Sequence, residues 1–435
     1  MKRVPPSLQT KEQIEQLISE GTGADDVLSQ LLRLGLQRLA EEALEGATRD
    51  LLGDREYYER RTGKQQGHRN GYRKGRVKSS EGEICYAVPQ VRGVSGEGLK
   101  ALRSLFAGRT GELERLAIES YARGCSTRDV EELFRATDGR SLLSRTAVSE
   151  LTETLWEEYE TFATRDLGEI CPLYLFVDGV AERINVGAPR EAILAAWAIT
   201  WSGKAMLVHL SPGTKESTDC CRAFFQDMKR RGLGDPVMVV TDGAPGLIRA
   251  VEECFPISLR QRCLVHRMRN LAAKLTEDVQ EAFKAAARAA YQAPSVEMAR
   301  VLRDDLVMKY ERVCPTAVAC FVDDFEACIV HLRCPPRHRA SIRSTNLLER
   351  SFVEERRRMR AAINVFGGER GVLKLMYASL TRSTRRWNGV QINDFERAQL
   401  ERLRKELQDE HRQRTAPAVK KKNTRSTPRR KLQRS

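Results

Sequence analysis

Two short apolar runs each lead into an aspartate followed by a glycine: YLFV precedes Asp178 and Gly179, and VMVVT precedes Asp242 and Gly243. An acid at or near the end of a buried strand is costly to desolvate unless it is paired or binds a cation. The glycine after it is expected to let the backbone turn. In an open sheet the carboxyl ends of strands are where ligands collect. One such aspartate is an ordinary turn or helix-capping residue; two of them make a candidate cation site. A third acid is sought in STNLLERSFVEERRRMRAA, which has a helical pattern. There Glu349 stands three residues after Asn346, the spacing of a capping box. It also shares a helical face with Val353, Arg356 and Arg360. The residues alone leave open whether Glu349 caps the helix or joins the aspartates, and Glu354 and Glu355 are rivals further along.

Cys263 and His266 have the spacing of metal ligands, but a zinc site normally needs four and no second pair stands nearby. The local reading is a cysteine buried in a short strand, with His266, Arg267 and Arg269 facing a bound substrate. Arg262, Arg356, Arg357 and Arg358 are the stronger candidates for phosphate contact, against the alternative that each is a solvated charge.

The elements that must position these residues can be read from periodicity. YLFVDG, REAILAAWAITW and GKAMLVHLSP are three short apolar runs with no helix between them. A helical stretch from Glu216 to Arg231, the run PVMVVTDG and a second helical pattern from Gly246 to Cys254 follow. Three strands, a helix and a strand is the opening order of an RNase H-like fold. Residues Leu275 to about His331 have a helical period and no strand-like run, so they read as a helical insertion that the pair Pro335–Pro336 ends. Upstream, Leu28, Leu32, Leu36, Leu39 and Ala43 recur at steps of three and four, the apolar face of a helix closed by Gly53. The stretch GKQQGHRNGYRKGRVKS then reads as a basic loop leading into the strand EICYAVPQV, with Arg69, Arg73 and Lys74 as DNA-contact candidates or as part of a solvated hairpin. Between Glu112 and Phe162 three helices are signalled: one ending at Gly124, one with a capping box from Ser126 to Asp129, and one capped by Ser144. That arrangement suits a helix-turn-helix presenting Arg145, Thr146 and Ser149.

Composition narrows the class. A chain of 435 residues implies more than one domain. No apolar run approaches the roughly 18–20 residues needed to span a bilayer, and MKRVPPSLQTKEQ lacks the apolar core of a secretory signal. A cytoplasmic, nucleoid-associated protein with reduced cysteines is expected, although it has eleven of them. The net charge of +15 favours a polyanionic partner. Ten Lys and Arg with no acid lie between His411 and Ser435, leaving only +5 on the rest.

These segments resemble the Mutator-type family of bacterial insertion-sequence transposases. VVTDGAPGLIRAVEECFPISLRQRCLVHRMRNL resembles the family's signature around its second catalytic aspartate, through QRC, His266 and the RN pair. TNLLERSFVEERRRMRAAINVF resembles the block carrying its catalytic glutamate, and RNGYRKGRVKS and GCSTRDVEEL resemble its DNA-binding half. Coverage is about Asp25 to Phe395. One departure is Phe352, where asparagine is commoner.

The resemblance implies an α/β catalytic core of RNase H-like fold, interrupted by an all-helical insertion and preceded by a mainly helical DNA-binding region. It implies an Asp-Asp-Glu triad that falls on Asp178, Asp242 and Glu349, holding two Mg2+ or Mn2+ ions about 3.5–4 Å apart. It implies a structural or DNA-positioning role for Cys263 and His266. The expected organisation is a DNA-binding region over residues 1–110, a helix-turn-helix-like region over 111–168 and the core over 169–274 and 342–398. The insertion covers 275–341, and a disordered basic tail covers 399–435. Expected partners are double-stranded DNA, both terminal inverted repeats and target, and a second copy of the chain in a homodimer or larger synaptic complex; no membrane is involved. The competing classes are a catalytically inactive DNA-binding derivative and an RNase H-like nuclease or resolvase that cuts without joining.

Overall fold

The computed structural model describes residues 4–20, 24–54, 67–95, 97–136, 139–182, 191–213, 217–345, 352, 368–384 and 389–416. The chain divides into two compact units, one of residues 1–161 with 354–379 and one of 162–353 with 380–435.

In the first unit, helices α1 (Pro6–Glu20) and α2 (Ala24–Leu51) pack beside a hairpin of β1 (His68–Ser79) and β2 (Gly82–Arg92). The basic segment expected to be a loop is therefore a strand. It pairs antiparallel with β2 from His68↔Arg92 to Ser79↔Gly82, with an irregularity between Arg69 and Tyr72. The partner strand supplies the apolar face that β1 lacks: Ile84, Tyr86 and Val88 are buried, and the latter two join Ala40, Leu44 and Leu99 in one cluster.

Helix α2 also corrects its expected orientation. Leu28, Leu32, Leu36 and Leu39 are exposed, and Ala43 with them. The buried face holds Ala40, Leu44, Thr48 and Leu52 together with two acids, Glu41 and Glu45. Each acid is matched by donors, which is why burial is tolerated. Glu41 accepts from Thr10 at 2.7 Å and from the Ala87 amide at 3.0 Å. Glu45 accepts from Arg69 at 2.5 Å and Tyr72 at 3.2 Å. Hydrophobic periodicity alone selects the wrong side of a helix whose inner face is partly polar.

After α3 (Glu97–Leu105) and the short β3 (Gly108–Arg109) come α4 (Gly111–Ala122), α5 (Thr127–Leu133) and α6 (Arg145–Thr164). The expected caps are present: Ser126 and Asp129 form a reciprocal capping box, and the Ser144 hydroxyl accepts from the Ala147 amide at 3.2 Å.

The second unit is built on five strands: β4 (Pro172–Glu182), β5 (Glu191–Thr200), β6 (Ala205–Gly213), β7 (Met238–Thr241) and β8 (Leu259–Arg262). Their order is β6-β5-β4-β7-β8, with β6, β5 and β4 antiparallel and β4, β7 and β8 parallel. Helices α7 (Thr218–Arg230) and α8 (Pro245–Cys254) carry the chain between the parallel strands. Leu175, Val177, Ala196 and Val239 bury one sheet face against Phe224, Phe225, Met228, Leu247 and Val251 of these helices. Residues on the other face of β4 alternate with these, so Tyr174, Phe176 and Asp178 share it.

From α9 (Leu264–Ala272) the chain is helical through α10 (Glu277–Tyr291), α11 (Val296–Tyr310), α12 (Pro315–Val322), α13 (Phe325–Ile329) and α14 (Pro336–Ile342). A separate cluster around Phe283, Tyr291, Phe321 and Phe325 forms its core. Pro335 and Pro336 do not end this region. Pro335 is the N-cap and Pro336 the first residue of α14, a position where the missing amide costs nothing. Then α15 (Gly368–Thr384) and α16 (Asp394–Thr415) follow. The first part of the expected disordered tail is thus the ordered α16, capped by Asn393 and Glu396 and burying Leu400, Leu403 and Leu407. Residues 417–435 lie outside the described residues.

Candidate active site

The parallel pairing of β4 with β7 runs Tyr174↔Met238, Leu175↔Val239 and Phe176↔Val240. Carried two residues further, the same register sets Asp178 opposite Asp242, on strands about 4.8 Å apart. The pairing of β7 with β8 ends at Thr241↔Arg262, and the Cys263 amide donates to the Thr241 carbonyl at 2.7 Å. Asp178, Asp242 and Cys263 therefore occupy one row, just past the last described parallel pairs of the three strands.

Asp178 does not end its strand. It pairs with Ala195, and β4 continues through Gly179 to Glu182 along β5. The described parallel pairing with β7 stops before it, so it stands where the sheet loses a neighbour on one side. The side chain is buried, at 4% exposure, and its Oδ1 accepts from the Gly179 amide at 3.0 Å. Asp242 behaves as the sequence leads one to expect. Its Oδ1 accepts from the Ala244 amide at 2.9 Å, and Gly243 turns the chain at φ 91° into α8, which starts on Pro245. A Cβ on Gly243 would lie 2.4 Å from Nε of Arg262, so only glycine lets this arginine lie behind the turn.

The run Gln261-Arg262-Cys263 fastens the sheet to the helical region through all three side chains. Buried Gln261 donates to the Cys328 carbonyl at 3.1 Å and accepts from the His331 amide at 2.8 Å. Arg262 is held at 3.4 Å from both Asp323 and Asp324. Cys263, fully buried, is not in a strand; it is the N-cap of α9, one residue past β8. Its Sγ accepts from both the amide and the hydroxyl of Thr345 at 3.3 Å. Burial pushes the thiol up, but hydrogen bonds from His266 and Thr345 outweigh it and hold Cys263 below the usual thiol range.

Glu349, with Glu354, Glu355, Arg356, Arg357 and Arg358, lies outside the described residues. Its flanks do not. Thr345 is tied to Cys263 at one end of the row, and Phe352 packs edge-on against Trp197, ring centroids 5.8 Å apart. Trp197 is the cross-strand partner of Phe176, two residues before Asp178 on the same face.

The other named residues divide. Arg73 and Lys74 are exposed on β1, whereas Arg69 is committed to Glu45 of α2. Arg145, Thr146 and Ser149 are exposed at the start of α6, with Arg145 Nε 2.9 Å from Glu131. Arg269 is exposed and His266 half-buried on α9. Arg267 does not face a substrate: it is 1% exposed and donates to the carbonyls of Cys320 and Asp323. Sequence reasoning missed its counterpart, the Asp323–Asp324 pair. Arg260 grips Asp324 through two bonds of 2.8 and 2.5 Å. Burial raises the Asp324 carboxyl, but Arg260, Arg262 and Arg267 outweigh it and keep it below its ordinary value. The signal was two adjacent acids inside the apolar stretch ACFVDDFEACIV.

Among the described residues no three His, Cys, Asp or Glu side chains are grouped to hold a metal ion, and no helix is long and apolar enough to cross a membrane. All eleven cysteines are free.

The chain is similar to known proteins over most of its length. The family model described as transposase, Mutator family, matches residues 6–389. The transposase for insertion sequence element IS406 of Burkholderia multivorans is 30% identical over 81% of this chain and 90% of its own length. The transposase for insertion sequence element IS256 in transposon Tn4001 of Staphylococcus aureus is 26% identical over 85% and 93%. The transposase for insertion sequence element IS6120 of Mycolicibacterium smegmatis is 28% identical over 62% and 84%.

Proposed function

The chain belongs to the Mutator family of transposases, and from that premise we propose that Asp178, Asp242 and Glu349 form the acidic centre of an RNase H-like core that cuts element ends and joins them to target DNA. The observation that carries the reading is the parallel register of β4 and β7 through Phe176↔Val240, which two further residues would extend to Asp178 and Asp242.

The donors fit a divalent cation. A carboxylate that is 4% exposed is costly to keep charged without positive charge beside it, and carboxylate oxygens suit Mg2+ or Mn2+. Asp178, Asp242 and Glu349 would hold the metal. Bound there, such ions supply charge stabilisation and a more acidic attacking water or 3′-hydroxyl.

The chain's own residues prepare that place. The Ala244 amide fixes the Asp242 carboxylate, and β5 holds Asp178 rigid on its paired side. On the two sides of the glutamate segment, Thr345 is tied to Cys263 and Phe352 packs on Trp197. Arg262 packs against Gly243 behind Asp242, and the exposed Arg269 on α9 would meet the phosphate backbone. Hydrolysis frees a 3′-hydroxyl at the element end, and that oxygen attacks a phosphorus of target DNA, expelling the target's 3′-oxygen. In the first unit the exposed cations of β1 and the start of α6 would engage the terminal repeats. Synapsis of two ends would require a second copy of the chain.

The test is cleavage and strand transfer on a duplex carrying the element end, in Mg2+, by the full chain. Asp178→Asn, Asp242→Asn and Glu349→Gln should each lose about 4 kcal/mol of transition-state stabilisation, roughly a thousandfold in rate, with DNA binding retained. Full activity of Glu349→Gln beside an inactive Glu354→Gln or Glu355→Gln would move the third position.

A further inference from the structure

Beside the Cys263–Thr345 contact, α9, α10 and α14 line an open cavity of about 480 Å3. Its apolar floor includes Leu264, Val265 and Met268 of α9. Its rim carries four cations, Arg269, Lys284, Arg288 and Arg343, and no acid lines it. Lys284 is partly neutralised by Glu281 at 2.8 Å. Arg288 is exposed and Arg343 half-buried, and neither has an ion-pair partner among the described residues. Arg288 and Arg343 beside an apolar floor suit a ligand that is both anionic and flat or apolar.

The position narrows the ligand. The Leu264 amide donates to the Arg343 carbonyl at 3.0 Å, directly beside the Cys263–Thr345 contact. The cavity wall at Leu264 is therefore one residue along the chain from Cys263, the near end of the row that holds Asp242 and Asp178. A volume of this size encloses one small ligand and is too small for a duplex. The geometry points to a site for a single nucleotide of unpaired DNA, its base against Met268 and Val265 and its phosphate between Arg288 and Arg343. This rests on the reading of the chain as a transposase and adds to it a path for the strand leaving the acidic centre. Soft, polarisable Met268 is suited to any base face, so the site selects for the absence of pairing and not for sequence.

The test compares two fluorescent DNAs by anisotropy with the full chain in metal-free buffer: a blunt duplex element end, and the same duplex with a short single-stranded extension. Wild type should favour the extended DNA. Arg288→Ala with Arg343→Ala should remove that preference, about a tenfold loss for the extended DNA, while blunt-duplex affinity stays within about twofold. Met268→Glu, which opposes the phosphate and wets the floor, should do the same. Millimolar deoxyadenosine monophosphate should compete with the extension and not with the blunt end. Equal losses on both DNAs would reduce the rim to a plain backbone patch and overturn the proposal. So would a wild type without preference, or a preference that survives all the variants. So would nucleotide binding at the cavity with no effect on the extended DNA. Because no metal is present, these outcomes are independent of whether Asp178→Asn abolishes cleavage.

Discussion

The two units use arginine in opposite ways. Around the strand ends of the second unit, Arg260, Arg262 and Arg267 are buried or nearly so, and their charge is spent on Asp323, Asp324 and backbone carbonyls. On the β1–β2 hairpin of the first unit, Arg73, Lys74 and Arg76 point into solvent, and only Arg69 is drawn inward to Glu45. Arginines beside a proposed phosphoryl-transfer centre are thus largely architectural, while those on a hairpin far along the chain are available to a polyanion. Proximity to the chemistry in sequence does not decide which arginine touches DNA; the partner inside the fold does.

The sharpest way to break this contrast is to remove a buried arginine. Arg267→Ala leaves two inward carbonyls, of Cys320 and Asp323, without their donor and a void against the helical core. Such losses amount to about 4 kcal/mol, so urea unfolding should show the second unit strongly destabilised. If Arg267→Ala instead keeps stability and weakens DNA binding, the assignment of this arginine to architecture is wrong. The next effect separates the two faces of α2. Leu44→Ala, at a fully buried position, should cost about 3 kcal/mol, whereas Leu36→Ala on the exposed face should stay within about 0.5 kcal/mol.

Those two faces also show what was legible beforehand. The three antiparallel strands, the helix and the fourth strand could be read because each is a short apolar run bounded by turns, and the caps of α5 and α6 because Ser126 and Ser144 carry the signal locally. Asp178 and Asp242 could be singled out, but their register could not, since it depends on which strands become neighbours. The buried side of α2 was misread because Glu41 and Glu45 look solvent-facing until Thr10, Ala87, Arg69 and Tyr72 arrive from distant parts of the chain. The strand character of β1 was hidden for the same reason: it has no apolar alternation of its own and borrows its inner face from β2. Pro335 and Pro336 were read as a stop when their fixed φ begins α14. Short β8, four residues long, carries Gln261 and Arg262, whose burial no hydropathy pattern announces.

A pH measurement sharpens the same contrast from the side of the histidines. His331, buried against Gln261 near Arg339 and Arg343, is pushed down to about 4 by desolvation and then by those cations. His209, stacked on Phe224 beside Arg231, Asp227 and Arg165, is likewise pushed down to about 4, burial being the largest cause. Both are neutral in the fold and would take up protons below an ordinary 6.5 once unfolded. Between pH 6.5 and 4 the unfolded chain binds more protons, so stability falls as the pH falls through that window. For each histidine the loss reaches on the order of 2 kcal/mol by pH 5. Urea midpoints of the second unit at pH 7, 6 and 5 should follow that slope, and His331→Gln should flatten it by one proton.

The smallest effect belongs to the hairpin and decides whether its cations matter. Each phosphate neutralised by an exposed side chain contributes about one unit to the slope of log affinity against log salt. Arg73→Ala and Lys74→Ala should therefore each reduce that slope by about 0.9 and weaken duplex binding a few-fold at moderate salt, with no change in urea midpoint. Arg69→Ala is the control inside the same strand. Its partner Glu45 would be left buried without its cation, so it should lower stability and change the salt slope little. A reversal, with Arg69→Ala carrying the salt effect and Arg73→Ala the stability effect, would mean that the hairpin's inner edge, and not its solvent face, meets the DNA.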